Sequence, residues 1–178
     1  MKISLIRHGE SEANVGHFIN DDPTKPVHLT SKGKAQAQAL AIELQGELFT
    51  HAYVSEFPRA QETLKILLHG KTLSVQVDPR LNERKSGMDG QPVNAFNDQI
   101  AHDPLHFKTP GGESFMEQMQ RLRNFLDDVA SRYPDAHVVA VAHENPILAA
   151  LGLTTSAEEV VGASLPNCGR IILTWPLA

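Results

Sequence analysis

Hydrophobic positions recur with two periods along this chain, and those periods set the expected elements. Ile3 to Ile6 is a short apolar run, the pattern of a strand buried on both faces. Thr30 stands where a helix N-cap belongs. Ala37, Leu40, Ala41, Leu44 and Leu48 follow it on one face, which predicts a helix from Thr30 to about Leu48. Ala52-Tyr53-Val54 predicts a second strand, and Pro58 suits the first turn of the next helix, which runs to about Leu68 and ends at Gly70. Ser74 to Val77 alternates and predicts a third strand. Ser114 caps a long helix whose apolar stripe, Phe115, Met119, Leu122, Leu126, Val129 and Tyr133, advances by alternating steps of four and three; these are core positions rather than a cofactor site. His137 to Ala142 is apolar on both faces, as a central parallel strand should be. Pro146 to Leu151 reads as a following helix and Arg170 to Trp175 as a last strand.

Strands and helices that alternate in this way predict an α/β fold, a three-layer α/β/α sandwich with a mostly parallel central sheet. Residues 79–113 interrupt the alternation with Pro79, Gly87, Gly90, Pro92, Pro104, Pro110, Gly111 and Gly112, and only a short helix over Val93 to Ile100 is expected there. Long irregular segments in compact domains are commonly functional. Residues 1–178 are therefore expected to form one domain with a variable cap segment at about residues 85–113. There is no internal repeat and no low-complexity stretch.

Composition narrows the function classes. With 41% hydrophobic and 21% charged residues in 178, the chain has the profile of a globular protein with a sizeable core. A formal net charge of -5 argues against a general nucleic-acid binder, which needs an excess of Lys and Arg to neutralise phosphates. The single cysteine, Cys168, permits no intramolecular disulfide and gives no sign of an oxidising compartment. No apolar run approaches a membrane span, and the apolar start gives way at once to Arg7-His8-Gly9-Glu10, unlike a signal peptide. A cytoplasmic enzyme is expected, with a small molecule rather than nucleic acid or a membrane as its partner.

The chemistry gathers at strand ends. The first strand closes on Arg7-His8 and the central one on His143, and in open α/β sheets ligands bind outside the carboxyl ends of the strands. The second strand ends at Ser55, with Arg59 four residues on in the first turn of its helix. Helix starts favour anions, because free backbone N–H groups and the helix dipole point there. Two arginines, two histidines and a helix N-terminus would together suit a dianion such as a phosphate.

The block Leu5-Ile6-Arg7-His8-Gly9-Glu10-Ser11, with Asn14 after it, resembles the histidine phosphatase superfamily, also called the phosphoglycerate mutase-like family. Ser55 to Arg59-Ala60 with Thr63, Leu81-Asn82-Glu83-Arg84, Gly111-Gly112-Glu113-Ser114 and Ala142-His143 support the resemblance, in the family's order and across about residues 3 to 145. It implies that His8 attacks phosphorus and becomes phosphohistidine, that Arg7, Arg59 and His143 hold the phosphoryl oxygens with help from Asn14, and that Glu83 is the general acid and base. It implies a phosphatase acting on a small phosphomonoester, with no metal and no cofactor. A phosphoglycerate mutase-like phosphotransferase is the first alternative, favoured by Leu81 to Arg84 and by Asn145 near His143. Chain length and the Gly111 to Ser114 block favour the phosphatase, since a mutase must exclude water and few residues remain for a large lid. A non-catalytic phosphate-binding module is the second alternative.

Two features depart from the family pattern. Glu144 follows His143 where Gly is common; a carboxylate there is expected to face outward or to select against substrates with a second anionic group. Glu56-Phe57-Pro58 stands where Pro and an apolar residue are usual. Arg84, Lys85 and Lys108 are candidates to meet a second negative charge on a substrate. Asn14 stands equally as a turn residue, and His102 and His106, which flank Pro104, read as a solvated loop rather than a metal site.

Overall fold

The computed structural model describes residues 1–176. The elements in chain order are β1 (Lys2–Arg7), α1 (Glu12–Gly16), α2 (Ser31–Glu43), β2 (His51–Val54), α3 (Pro58–Leu67), β3 (Val75–Val77), α4 (Val93–Ile100), α5 (Phe115–Arg132), β4 (His137–Ala142), α6 (Glu144–Gly152), α7 (Ala157–Val160) and β5 (Arg170–Thr174), with a 3-10 turn over Pro79–Leu81. They build an α/β sandwich around a five-stranded sheet of order β3-β2-β4-β1-β5. The first four strands are parallel and β5 runs antiparallel to β1.

Alternation along the central strands sorts side chains into two layers. Ile3, Leu5, Val138, Ala140 and Ala142 face α5 and α6, where Leu122, Phe125, Leu126 and Ile147 meet them. Ile6, Val139, Val141 and Val54 face the opposite layer, where Leu40 and Leu44 at the end of α2 and Leu64 of α3 complete the core. A strand covered on both faces must be apolar at every position, which is why β4 reads as an unbroken hydrophobic run. Among the described residues, no helix is long and apolar enough to cross a membrane.

Register is what positions the chemistry. β1 pairs with β4 so that Arg7 lies beside Ala142, and β2 pairs with β4 so that Val54 lies beside Val141. His8, Ser55 and His143 therefore leave three neighbouring strands at one level. Backbone bonds hold that level past the strand ends, with His8 N–H donating to the Ala142 carbonyl (3.1 Å) and Ser55 N–H to the Val141 carbonyl (3.2 Å).

The elements differ from the sequence pattern in a few places. α2 stops at Glu43 rather than near Leu48; Gly46 follows within three residues, and Leu48 lies outside the helix at 85% exposure. α6 begins at Glu144, ahead of Pro146, because a proline in the first turn removes an N–H that has no helical partner anyway. α1 and α7 are one-turn helices, too short to display a period. β3 is exposed at all three residues, so its alternation does not reflect one buried face.

Candidate active site

A cavity of about 560 Å³ opens over the carboxyl ends of β1, β2 and β4. Arg7, His8, Asn14, Arg59 and Glu83 line it. His143 sits directly beneath, fully buried, with its ring centroid 5.1 Å from that of His8. The six residues expected from the sequence thus converge, although five stand in the cavity wall and His143 backs them.

His8 is 2% exposed. Its Nδ1 lies 2.7 Å from the Gly9 carbonyl oxygen, an acceptor that can take only a proton from the ring. Nδ1 therefore carries the hydrogen and Nε2 presents a lone pair. The Nε–H of Arg59 donates to that lone pair over 3.2 Å. Burial and the neighbouring guanidinium of Arg59 hold the imidazole well below its ordinary pKa, so it is neutral at pH 7.

His143 is fixed through its other nitrogen. Ser55 Oγ accepts the Phe57 N–H (3.3 Å) and lies 2.9 Å from His143 Nε2, so the hydroxyl proton has Nε2 as its acceptor. The ring hydrogen then sits on Nδ1, which is buried without a hydrogen-bond partner among the described residues and lies 3.9 Å from Glu83 Oε2. Burial and Arg59 also lower the pKa of this imidazole far below the usual value. Phe57 stacks edge-on to it at 4.8 Å and supports the Arg59 guanidinium at 4.6 Å.

The three charged groups are each anchored from behind. Arg59 is 3% exposed, and both of its terminal nitrogens donate to Asn20, one to the side-chain oxygen and one to the carbonyl (3.1 Å). Desolvation draws its pKa down to about 10, still well above neutral pH. Arg7 donates through Nη1 to Glu144 Oε2 (2.9 Å) and to the Leu165 carbonyl, while its Nε is buried without a partner among the described residues. Glu83 accepts the Arg84 N–H at 2.8 Å. Desolvation raises its carboxyl pKa against the opposing pull of Arg59 and Arg7. Asn14 caps α1, its side-chain oxygen accepting the Ser11 N–H (3.0 Å), and the residue also lines the cavity.

Glu144 does not simply face outward: it lines the cavity, paired with Arg7. Of the three bases expected near a second negative charge, only Arg84 reaches the cavity. It is buried over the Phe96 ring, with one terminal nitrogen unpaired among the described residues. Lys85 is exposed, and Lys108 pairs with Glu117 at 2.9 Å. Sequence reading missed Asn20 and Asn167. The latter donates to the His8 carbonyl (3.1 Å) and to Asn14 Oδ1 (3.3 Å). Neither belongs to a motif, and Pro166-Asn167 announces a turn without announcing what it holds.

Comparison with known proteins agrees with this geometry. A family model for the histidine phosphatase superfamily (branch 1) matches residues 3–176. An adenosylcobalamin/alpha-ribazole phosphatase of Escherichia coli is 32% identical over 152 residues, covering 81% of this chain and 74% of that protein. A 2,3-bisphosphoglycerate-dependent phosphoglycerate mutase of Thermoplasma acidophilum is 33% identical over 178 residues, covering 97% and 87%. Among solved structures, the alpha-ribazole phosphatase from Shigella flexneri superposes with a TM-score of 0.83 at 26% identity, covering 97% of this chain and 89% of that one. A mycobacterial glucosyl-3-phosphoglycerate phosphatase complexed with VO3 gives the same score at 25% identity, covering 97% and 92%. Sequence blocks, sheet order and whole-chain similarity agree, and this chain belongs to the histidine phosphatase superfamily, branch 1.

Proposed function

We propose that the protein hydrolyses a small phosphomonoester in two steps, carrying the phosphoryl group on His8. The single observation behind this is the state of His8: a neutral, buried imidazole whose proton is tied to Gly9, leaving Nε2 as a lone pair at the floor of a cavity with arginines on its wall. A nucleophile held in this way needs no base to activate it.

In the first step the ester phosphate enters, and its oxygens replace Nε2 as acceptors from Arg59. Arg7 offers its unpaired Nε, and His143 its Nδ1–H. These donors match the charge on the equatorial oxygens, the main demand of phosphoryl transfer. The Nε2–P bond forms as the P–O ester bond breaks, and the carboxyl proton of Glu83 passes to the leaving oxygen. In the second step water attacks phosphorus and gives its proton to the Glu83 carboxylate. The P–N bond breaks, and inorganic phosphate leaves with His8 neutral again. Glu83 keeps 20% of its side chain exposed, which lets water reach it. Residues 85–113 act as the cap over the leaving group. The E. coli and mycobacterial phosphatase relatives support hydrolysis, and the Thermoplasma relative supports a mutase as the second reading.

The test is a rapid acid-free quench with a 32P-labelled aryl phosphate in chelator. The expected result is an acid-labile, alkali-stable label at His8, released as inorganic phosphate and absent from His8→Ala. Isomerisation of phosphoglycerate without phosphate release would favour the mutase. Phosphate binding with neither activity would leave a binding module.

A further inference from the structure

We infer that Glu144 is a positioning residue that sets the phosphate-binding edge of Arg7 and locks the far wall of the cavity to it. This rests on the phosphatase reading above but concerns a residue that the reading does not use.

A guanidinium has two useful edges. On Arg7, Nη1 is committed to Glu144 Oε2 (2.9 Å) and to the Leu165 carbonyl. The edge that carries Nε is left over, and Nε is buried with no partner among the described residues. Holding one edge aims the other. A free arginine side chain has several rotatable bonds and would sample many directions, whereas this one has its fork fixed before the phosphate arrives.

The same carboxylate oxygen does a second task. Glu144 Oε2 also accepts the Leu165 N–H at 3.0 Å. Leu165 closes the segment whose Val161, Gly162 and Ala163 line the cavity. One oxygen therefore joins α6, the end of β1 and the 161–165 wall. The segment bonds to this knot from both of its backbone groups, since the Leu165 N–H meets Glu144 and its carbonyl meets Arg7.

Glu144 also brings negative charge to the phosphate site, opposing the bound dianion. Its two effects separate in the observables. Positioning holds both the transition state and the bound phosphate, so it appears in kcat and in phosphate affinity. The charge weakens phosphate affinity alone.

Because both bonds fall on one oxygen, a glutamine amide oxygen can keep both while removing the charge. The experiment compares native protein, Glu144→Gln and Glu144→Ala, each checked for folding by near-UV circular dichroism and thermal melting. Turnover of an aryl phosphate is measured, and the binding of inorganic phosphate is titrated by calorimetry. For Glu144→Ala we expect kcat at least tenfold lower, with Glu144→Gln restoring it to within about threefold of native. We expect Glu144→Gln to bind inorganic phosphate at least threefold more tightly than native, and more tightly than Glu144→Ala. Equal kcat in the two variants, or equal phosphate affinity in them, would overturn the inference. Absence of turnover in native protein defeats the phosphatase reading instead, and the phosphate titration then still decides the role of Glu144.

Discussion

His8 and His143 carry the same tautomer and present opposite ends to the cavity. His8 donates its Nδ1–H to the Gly9 carbonyl and shows a lone pair; His143 accepts a hydrogen bond from the Ser55 hydroxyl and shows an N–H. One imidazole is thereby prepared to attack phosphorus and the other to donate to a phosphoryl oxygen, with neither needing to be charged. Glu83 is tuned in the reverse sense, its carboxyl raised so that it holds a proton more readily. If that proton goes to the leaving oxygen, its loss matters in proportion to the basicity of that oxygen. Glu83→Gln is expected to lower kcat/KM, which reports the first step alone, by about 10²–10⁴ for an alkyl phosphate and by far less for a nitrophenyl phosphate. Rates at low concentration of the two esters check this, and an equal loss of kcat/KM on both would remove Glu83 from the acid role.

At the scale of elements, α2 shows how tightly the loop after His8 is held. The Thr30 N–H donates to the Glu10 carbonyl (3.0 Å), and a Cβ at Gly33 would overlap the Glu10 backbone. In an exposed helix Gly→Ala stabilises by about 1 kcal/mol. Here Gly33→Ala is expected to destabilise and to lower kcat, because the shift passes into the turn beside His8. Urea unfolding and kcat measured together check the sign; a stabilised, fully active variant would contradict it. The sequence made this level only partly legible. Helix α5 declared itself because burial of one face leaves a period, and strands β1 and β4 because burial of both faces leaves an apolar run. The convergence of His8, Arg59 and His143 followed from strand ends lying together. The pairing of Glu144 with Arg7 left no trace, since the two are 137 positions apart and only the register of β1 on β4 brings them close. Asn20 was equally silent, because one asparagine in a loop looks the same whether it caps an arginine or faces solvent.

Over the whole molecule, a chain of net charge -5 surrounds a cavity lined by Arg7, Arg59 and Arg84. An anion in the cavity thus meets three guanidinium groups, offset in part by Glu83 and Glu144, within a chain of overall negative charge. Burying two neutral imidazoles also has a cost for the whole fold. Both have folded-state pKa values well below 6.5, so between that value and the lower ones the unfolded chain binds more protons than the native one. Stability present above about pH 6.5 is therefore lost as pH falls. Glu83, with its raised pKa, acts in the opposite direction, but as one group against two. The thermal midpoint is expected to drop between about pH 7 and pH 5, and His143→Asn is expected to flatten that drop. A native midpoint that is constant over this range would refute the assignment of two neutral buried rings.

The seat of Arg59 connects these scales. Asn20 holds its guanidinium, and its chain neighbours are laced to residues 86–91: Ile19 N–H donates to the Gln91 carbonyl (2.8 Å), Gly90 N–H to the Ile19 carbonyl (2.7 Å), and the Ser86 N–H to Asp21 Oδ2 (2.6 Å). Residues 86–91 therefore belong mechanically to the phosphate end of the cavity, although they lie in the irregular stretch expected to form a cap. Changes meant to retune the substrate range without disturbing the chemistry belong after this lacing, which ends with the Val93 N–H on the His17 carbonyl (3.0 Å): from Asn94 through α4 to about Pro104. A library randomised there would explore new esters, whereas one placed a few residues earlier would loosen the arginine that every ester needs.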